Sequence, residues 1–259
     1  SYVDSDIFAD PALEIEDAES QIHVTAFSYV RALDIFGRSG RFDVLVPYAS
    51  GRWEGMLQGE TASVRRRGFS DPKLRFAVNV LGSPAQTGEA FRAFKPSTIV
   101  GVGLDVTMPF GEYRDDKLIN LGSNRWVFRP QLGIVRFWDK WSAELTTSAF
   151  FYTTNDDFFG DVEREPDPLY AVQGHLSYTF RPGLWASLSS AYGSGAQSEI
   201  DGVEVGDRKG NWLWAASVGI PIDRRNGLKI AYLRGQTTRD TGRDWNQLIL
   251  AYSVLWGGN

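Results

Sequence analysis

The segment at residues 98–110 alternates between apolar residues and small or polar residues. After Thr98 its even-numbered positions are all apolar, whereas its odd-numbered positions are mostly glycine or polar residues. Side chains on a β-strand point alternately to opposite faces, so this pattern predicts one strand with an apolar face and a more polar face. Because about 9–11 tilted residues are enough to cross a bilayer, the strand is long enough to span a membrane.

The same alternation recurs along the chain and predicts eleven strands. These segments are 22–33, 41–48, 73–81, 98–110, 125–137, 141–154, 170–180, 184–192, 211–220, 228–233 and 246–256. Short and long connections alternate, except at 82–96, which is typical of outer-membrane barrels with short periplasmic turns and longer extracellular loops. The connection at 57–72 is expected to be a long polar loop. Single-chain bacterial barrels have even strand numbers, so a twelfth strand is expected near the N-terminus. The predicted fold is all-β, a transmembrane antiparallel up-and-down β-barrel of twelve strands.

Two arginines indicate which face of the predicted strands is the lumen. Arg125 and Arg129 share one face of their strand, and Trp126 and Phe128 lie on the other face. A charge that faces the bilayer midplane costs about 2–4 kcal/mol, so the arginine face is predicted to line the lumen. Pro130 removes a ladder hydrogen bond from this strand, and we expect a β-bulge there.

The composition is compatible with a membrane barrel. The 259 residues include 16 Phe, 10 Tyr and 9 Trp, enough for aromatic girdles at both membrane interfaces. No run of about 18 apolar residues occurs, so no transmembrane helix is predicted. Absence of cysteine permits an oxidising envelope compartment. The net charge of −5 argues against a nucleic-acid partner. No signal peptide is recognisable at Ser1, so a mature chain is expected.

Residues 1–20 differ from the rest of the chain, which we assign to the barrel as residues 21–259. The N-terminal segment contains seven acidic residues and no lysine or arginine. One interpretation is a solvated, frayed terminus. The other is an acidic segment that folds into a basic barrel lumen and occludes it, stabilised by charge-assisted hydrogen bonds to luminal arginines.

Motifs for catalysis or cofactor binding are scarce. Nucleophile-elbow, zinc-protease and phosphate-loop patterns do not occur, and His23 and His175 are the two histidines. His175 and Ser177 are predicted on the same inward face. An outer-membrane lipid hydrolase would need a serine within hydrogen-bond reach of His175, but such a pair is more often luminal polar lining. We therefore predict no enzyme activity, no metal site and no cofactor.

The predicted lumen has mixed polarity, because basic, acidic and aromatic side chains all fall at inward positions. Twelve strands with bulky inward residues indicate a narrow passage rather than a wide aqueous pore. The luminal aromatics either fill the barrel for stability or form an amphipathic path for a hydrophobic solute. The predicted substrate path comprises Arg75, Asn79, Asp105, Asn124, Arg125, Arg129, Glu144, Phe150, Tyr152, Gln173, His175 and Trp185.

Four segments carry a family resemblance that covers most of residues 27–256. They are LDIFGRSGRFDVLVPY, GFSDPKLRFAVNVLGSPA, PFGEYRDDKLINLGSNRWVFRPQLG and TTNDDFFGDVEREPDPLYAVQGHLSYTFRPGLW. The chain resembles the outer-membrane channel family associated with the meta-pathway of phenol degradation, which includes relatives implicated in sphingosine uptake. The resemblance implies a twelve-stranded barrel that admits hydrophobic molecules by passive diffusion. The matching motif positions are Gly37, Arg38, Pro47, Asp71, Pro72, Asn79, Pro109, Gly111, Tyr113, Asn120, Asn124, Arg125, Trp126, Gln173 and His175.

The leading functional interpretation is a channel of the bacterial outer membrane for passive uptake of aromatic hydrocarbons or lipid-like compounds. One alternative is a narrow porin for polar or anionic solutes, which would require luminal arginines that face open water. The other is the outer-membrane lipid hydrolase. The expected partners are outer-membrane lipid and hydrophobic small molecules. We also expect detergent inside the barrel of a crystal, no nucleic acid, and a monomeric protein.

Deletion of residues 1–20 tests the proposed luminal plug. If the acidic segment occludes the lumen, its removal should raise single-channel conductance in a planar bilayer. Unchanged conductance would reject the plug and leave the frayed terminus as the interpretation.

Overall fold

The computed structural model describes residues 19–57, 60–85, 93–160, 162–239, 242 and 244–256. No helix in this part of the chain is both long enough and apolar enough to span a membrane. The described residues form sixteen strands. In chain order they are β1 (Glu19–Ile35), β2 (Arg38–Leu57), β3 (Glu60–Phe69), β4 (Lys73–Leu81), β5 (Thr98–Thr107), β6 (Val127–Trp138), β7 (Trp141–Tyr152), β8 (Asn155–Phe158), β9 (Val162–Pro166), β10 (Leu169–Arg181), β11 (Leu184–Gly195), β12 (Ser198–Ile200), β13 (Val203–Glu204), β14 (Lys209–Pro221), β15 (Asn226–Thr237) and β16 (Trp245–Val254).

Twelve of these strands form one antiparallel sheet that curls into a half-barrel. Its order is β1-β2-β4-β5-β6-β7-β10-β11-β14-β15-β16, with β3 paired to β2. Each of the eleven strands predicted from alternation corresponds to a strand on this path. A second, four-stranded sheet has the order β13-β12-β9-β8. It is built from the two long connections β7–β10 and β11–β14, so these loops are ordered by pairing with each other.

The region at 57–72 is not the polar loop that the sequence suggested. β2 runs for 20 residues, and only its first part pairs with β4. β3 pairs with the remaining part, from Tyr48 opposite Phe69 to Leu57 opposite Glu60. Unpaired backbone groups on such a long strand favour a further partner, and β3 supplies it although its sequence is rich in arginine. β3 and β4 therefore lie along consecutive parts of β2.

The bulge expected at Pro130 is absent from the described ladders. Pro130 lies opposite Leu104 in an unshifted register with β5. The ladder with β7 omits positions 129 and 130 and resumes at Gln131 without a shift. The missing N–H of proline is thus accommodated by a local gap in one ladder. Register shifts occur instead near the ends of β4 and β10, at Asn79/Leu81 and at Thr179/Arg181.

The two faces of the sheet differ as the alternation predicted. Along β6, buried inner residues such as Val127 and Arg129 alternate with exposed outer residues such as Phe128 and Leu132. We call the side with the β1–β2, β6–β7 and β10–β11 turns the short-turn end and the opposite side the long-loop end. Outer aromatic pairs lie near both ends, as expected for interfacial girdles. They include Tyr48–Phe69, Phe110–Trp126 and Trp212–Trp214 at the long-loop end and Trp141–Tyr178 at the short-turn end.

The first and last strands of the sheet meet through side chains. Tyr29 of β1 stacks on Trp256, just after β16, with ring centroids 6.0 Å apart. Within the described residues no ladder joins β1 to β16. The predicted twelfth strand would fall in residues 1–18, outside the described part of the chain, and stays a prediction.

Candidate functional site: the inner face of the sheet

A row of alternating charges crosses the inner face on four neighbouring strands. The ladder registers place Asp43 of β2 opposite Arg75 of β4, Arg75 opposite Asp105 of β5, and Asp105 opposite Arg129 of β6. Directly opposite side chains on one face of an antiparallel pair are close enough to interact. The backbone register therefore brings four charges of alternating sign into one line, which we call the charge row.

Ion pairs within and beside the charge row compensate its charges. Arg75 binds Asp105 through two bonds, with Nε 2.7 Å from Oδ1 and Nη2 2.9 Å from Oδ2. Arg129 Nη1 lies 3.9 Å from Asp105 Oδ2, and its Nε donates to Ser148 Oγ at 3.1 Å. Arg41 Nε donates to Asp43 Oδ1 at 2.9 Å. Because such bidentate pairs satisfy several donors at once, the row can be buried without leaving its carboxylates unpaired.

Two arginines of the inner face also stack on aromatic rings of β7. The guanidinium carbon of Arg129 lies 4.6 Å from the centroid of Phe150, and that of Arg125 lies 4.4 Å from the centroid of Tyr152. Arg129 is 2% exposed and Arg125 is 3% exposed. A cation over a ring face is attracted by the ring quadrupole. The two side chains are therefore held flat against the wall.

An apolar patch continues from the charge row across the inner face. It contains Val127, Phe150, Leu169, Ala171, Ala191, Ala196 and Leu213, and Tyr152 and Trp245 pack against it. We call these residues the inner apolar patch. Leu169 is opposite Phe150 in the ladder and is completely buried, so the patch begins where the charge row ends. The wall thus has an ion-paired part and an apolar part side by side.

Two luminal tryptophans lie against glycines of the wall. A Cβ added to Gly219 would come within 2.2 Å of the Trp185 ring, and one added to Gly235 would come within 2.3 Å of the Trp245 ring. The missing side chains allow both indoles to rest on the backbone of a strand. These rings therefore cover the wall of the half-barrel.

His175 has a serine partner, but it is not the serine that the sequence suggested. His175 Nδ1 and Ser189 Oγ lie 2.7 Å apart between β10 and β11. Glu144 of β7 is opposite His175 in the other ladder and accepts a hydrogen bond from Thr146 at 3.0 Å. The result is a polar cluster inside the half-barrel, nearer the short-turn end than the charge row.

The carboxylate of Asp71 holds the long β5–β6 loop over the inner face. Its Oδ1 accepts a hydrogen bond from Gly111 N–H at 2.8 Å, and its Oδ2 accepts from the N–H and the hydroxyl of Ser123, both at 2.7 Å. A Cβ at Gly111 would lie 2.7 Å from Asp71, and one at Gly122 would lie 2.9 Å from it. We call this arrangement the Asp71 clasp. The two glycines let the loop backbone approach this carboxylate closely.

Polar side chains join the same loop to the β7–β8 connection. Asn124 has a φ of +51°, a left-handed conformation that asparagine tolerates, and its Nδ2 donates to Asn155 Oδ1 at 2.8 Å. Asn155 Nδ2 in turn donates to Tyr113 Oη at 2.9 Å, and that hydroxyl donates to the carbonyl of Asp157. Burial raises the pKa of Tyr113 above its ordinary value. Leu121 of the loop packs on the inner face among Ala49, Trp53 and Ile119.

The structure gathers the predicted path residues into groups. Arg75, Asp105, Arg129 and Phe150 lie along one row, and Glu144, Gln173 and His175 lie on facing strands nearer the short-turn end. Arg125 and Tyr152 form their stacked pair, and Asn79 lies beside Gly101 of β5. Asn124 binds Asn155 of β8 instead of lining the strands of the large sheet. Which of these side chains contact a solute stays a prediction.

Several buried residues of the inner face were not predicted from the sequence as part of the site. Leu169, Ser189, Lys209 and Asn211 are each less than 9% exposed. Lys209 lies opposite Gly195 at the end of the row that contains Leu169. The alternation could have suggested their inward direction, but only the register shows which strand positions they face.

Comparisons with known proteins agree with this architecture. The sequence model of the family described as "Putative MetA-pathway of phenol degradation" matches residues 15–246. The crystal structure of the COG4313 outer membrane channel from Pseudomonas putida F1 is similar, with a TM-score of 0.67 at 20% sequence identity. The similarity covers 96% of this chain and 100% of that chain. No curated protein matches the sequence. At this identity the structural likeness shows a shared fold, and the predicted all-β outer-membrane barrel fold is confirmed.

Replacement of the Asp71 carboxylate should release the β5–β6 loop. Asp71→Ala removes three charge-assisted hydrogen bonds, so we expect trypsin to cleave after Arg114 or Lys117 roughly tenfold faster in the detergent-solubilised protein. The control is Asp156→Ala, which removes an exposed carboxylate from the neighbouring β8 without changing a residue beside the cleaved bonds. Equal cleavage rates in the two variants would contradict the role of the clasp.

Removal of the shared carboxylate of the charge row should destabilise the fold. Asp105→Asn leaves Arg75 and Arg129 facing an uncharged amide, so we expect a loss of about 3–5 kcal/mol in the free energy of unfolding. The measurement is the temperature at which the folded band is lost in heat-modifiability gels. The exposed Asp156→Asn is the control. If Arg75 and Asp105 act as a unit, the double variant Arg75→Gln/Asp105→Asn should lose less free energy of unfolding than the two single variants lose in sum.

Proposed function

Because this chain belongs to the phenol-degradation MetA-pathway family and shares the fold of an outer-membrane channel, we propose that it is a channel that admits small hydrophobic molecules by passive diffusion. Aromatic hydrocarbons and lipid-like compounds are the proposed solutes. The observation that carries the proposal is the inner apolar patch beside the ion-paired charge row. A solute that slides along such a wall meets the partly exposed rings of Tyr152 and Trp245 over the patch, and charges that are already compensated.

The free energy of burying apolar area favours contact of an apolar solute with this wall over its exposure to water. Burial of apolar area contributes roughly 25 cal/mol per Å², so even a partly enclosed aromatic ring gains from contact with the partly exposed rings of Tyr152 and Trp245, which pack on the inner apolar patch. The neighbouring carboxylates keep their arginine partners while the solute passes, so no extra desolvation of an unpaired acid is required. The passage needs neither a cofactor nor an energy source.

The geometry gives less support to a porin for polar or anionic solutes. That interpretation requires arginines that face open water, whereas Arg125 and Arg129 are almost completely buried and stacked on rings. Asp105 also lies between two arginines, which lowers the positive potential that an anion would meet.

The contact between His175 and Ser189 is the observation that favours a lipid hydrolase as the second candidate. Acyl transfer also needs donors for the oxyanion, usually backbone N–H groups. Ser189 is paired on both sides, to β10 and to β14, so the ladders use the backbone N–H groups around it. We therefore assign the pair to the polar lining. A serine-directed fluorophosphonate probe that labels Ser189 would reverse this assignment.

The N-terminal plug is a further part of the proposal. On the inner face of the described strands, basic side chains outnumber acidic ones. They are Arg41, Arg66, Lys73, Arg75, Arg129, Lys209 and Lys229 against Asp34, Asp43, Asp105 and Glu144. An acidic segment that entered the half-barrel would lower this excess. β1 begins at Glu19, so a deletion that spares the sheet ends at residue 18.

Uptake of a hydrophobic fluorophore by cells tests the proposed function. Cells that express the channel should take up N-phenyl-1-naphthylamine faster than cells without it, because the outer leaflet slows direct entry. Trp245→Gln replaces a partly exposed ring at the inner apolar patch by an amide and should reduce the channel-dependent rate roughly tenfold. Leu118→Gln changes an exposed loop leucine and serves as the control. Rapid liposome swelling with sugars, without fluorophore uptake, would favour the porin.

A further inference from the structure

The hairpin of β2 and β3 carries arginines on the outer face at the long-loop end. Outer residues of this hairpin share a face with Tyr48 and Phe69, whose exposed rings make an edge-to-face contact 5.3 Å apart. Continuing from these rings away from the membrane centre, the same face presents Arg67, Arg65 and Arg52. We call these three residues the outer basic patch.

The register concentrates the positive charge of the patch. Arg52 is directly opposite Arg65, and Arg67 is two residues from Arg65 on the same face. The intervening Arg66 points to the inner face, where its Nε donates to the carbonyl of Ile119 at 3.1 Å. Like charges directly opposite each other on one face are destabilising. The arrangement is therefore costly unless an anion lies between the side chains.

Acidic residues of the hairpin compensate only part of this charge. Arg52 forms an ion pair with Glu54, and both side chains are nearly half exposed. Among the residues that the structure describes, no carboxylate pairs with Arg65 or Arg67. His23 of β1 lies opposite Ser50, which is opposite Arg67, so the patch is continued by an imidazole rather than an acid. Two exposed guanidinium groups therefore remain available to an external anion.

The depth of the patch in the membrane matches that of lipid phosphates. Tyr48 and Phe69 belong to the aromatic girdle, which marks the boundary of the hydrocarbon region. Arg52 lies four residues beyond Tyr48, which is roughly 10 Å along the membrane normal for a strand tilted by about 40°. Because the long-loop end is the extracellular end of an outer-membrane barrel, this is the headgroup level of the outer leaflet.

We propose that the outer basic patch is a binding site for the phosphates of the outer-leaflet glycolipid, lipopolysaccharide. Guanidinium groups bind phosphate oxygens bidentately, and two neighbouring arginines can hold one phosphate or two adjacent phosphates. The Tyr48 and Phe69 rings below would contact the first acyl-chain carbons. The bound glycolipid would then cover the hairpin and relieve the repulsion between Arg52 and Arg65.

Binding of fluorescent lipopolysaccharide to the detergent-solubilised full chain tests the site. The test variant carries Arg65→Gln and Arg67→Gln, and the control carries Arg224→Gln and Arg225→Gln in the exposed β14–β15 turn at the opposite end. Both variants lose two positive charges. We expect the dissociation constant to rise roughly tenfold to thirtyfold in the test variant and less than about twofold in the control.

Three outcomes of the lipopolysaccharide measurements would overturn the proposal. They are unchanged binding by the test variant, an equal loss in the control, and undiminished binding of chemically dephosphorylated glycolipid to the original chain. Phosphatidylglycerol in place of lipopolysaccharide shows whether any phosphate lipid suffices, and tighter binding of that lipid would also reject the assignment. Fluorophore uptake by the test variant is a separate measurement. Normal uptake together with weakened lipid binding supports the site. The lipid-binding measurement does not depend on which solute the channel carries.

Discussion

The cross-strand register at the charge row is the constraint on which the inner face depends. A shift of one residue in any of these ladders would turn an entire strand inside out and bring its charges to the lipid face. A shift of two residues would keep the faces but move Asp105 away from Arg75 and Arg129. Only one register keeps both the apolar outer face and the buried ion pairs. The charge row therefore selects the alignment of four strands, and with it the position of the other luminal side chains that these strands carry.

The inner apolar patch follows from the same alignment. Phe150 is at once the ring on which Arg129 stacks and a member of the patch, so it joins the ion-paired wall to the apolar wall. Glycines in β14 and β15 let Trp185 and Trp245 lie against the backbone. A half-barrel of this size can therefore contain large aromatic residues and still present a continuous surface to a solute. The Asp71 clasp adds a loop over that surface without using any residue of the charge row.

The outer face has a different residue composition from the inner face, because its side chains contact lipid instead of other protein side chains. Apolar side chains dominate between the girdles, where a charge would be costly. Beyond the girdle of the long-loop end the hairpin of β2 and β3 can carry arginines, because it extends past the hydrocarbon region. The arginines that looked like part of a solvated loop in the sequence thus lie on an ordered strand. Their position at headgroup level distinguishes them from the arginines inside.

Alternation by itself determined the eleven strands of the main path, their two faces and the inward direction of Arg125 and Arg129, because a period of two is a local property of the backbone. It also indicated most of the residues of the candidate path. It could not show that Asp105 lies between two arginines, that Ser189 rather than Ser177 meets His175, or that β3 pairs with β2. The side-chain contacts join residues between 14 and 30 positions apart, and the pairing of β3 forms where β2 extends beyond the end of β4. Only the tertiary structure decided them, because register depends on the summed fit of whole strands and leaves no mark at any single position.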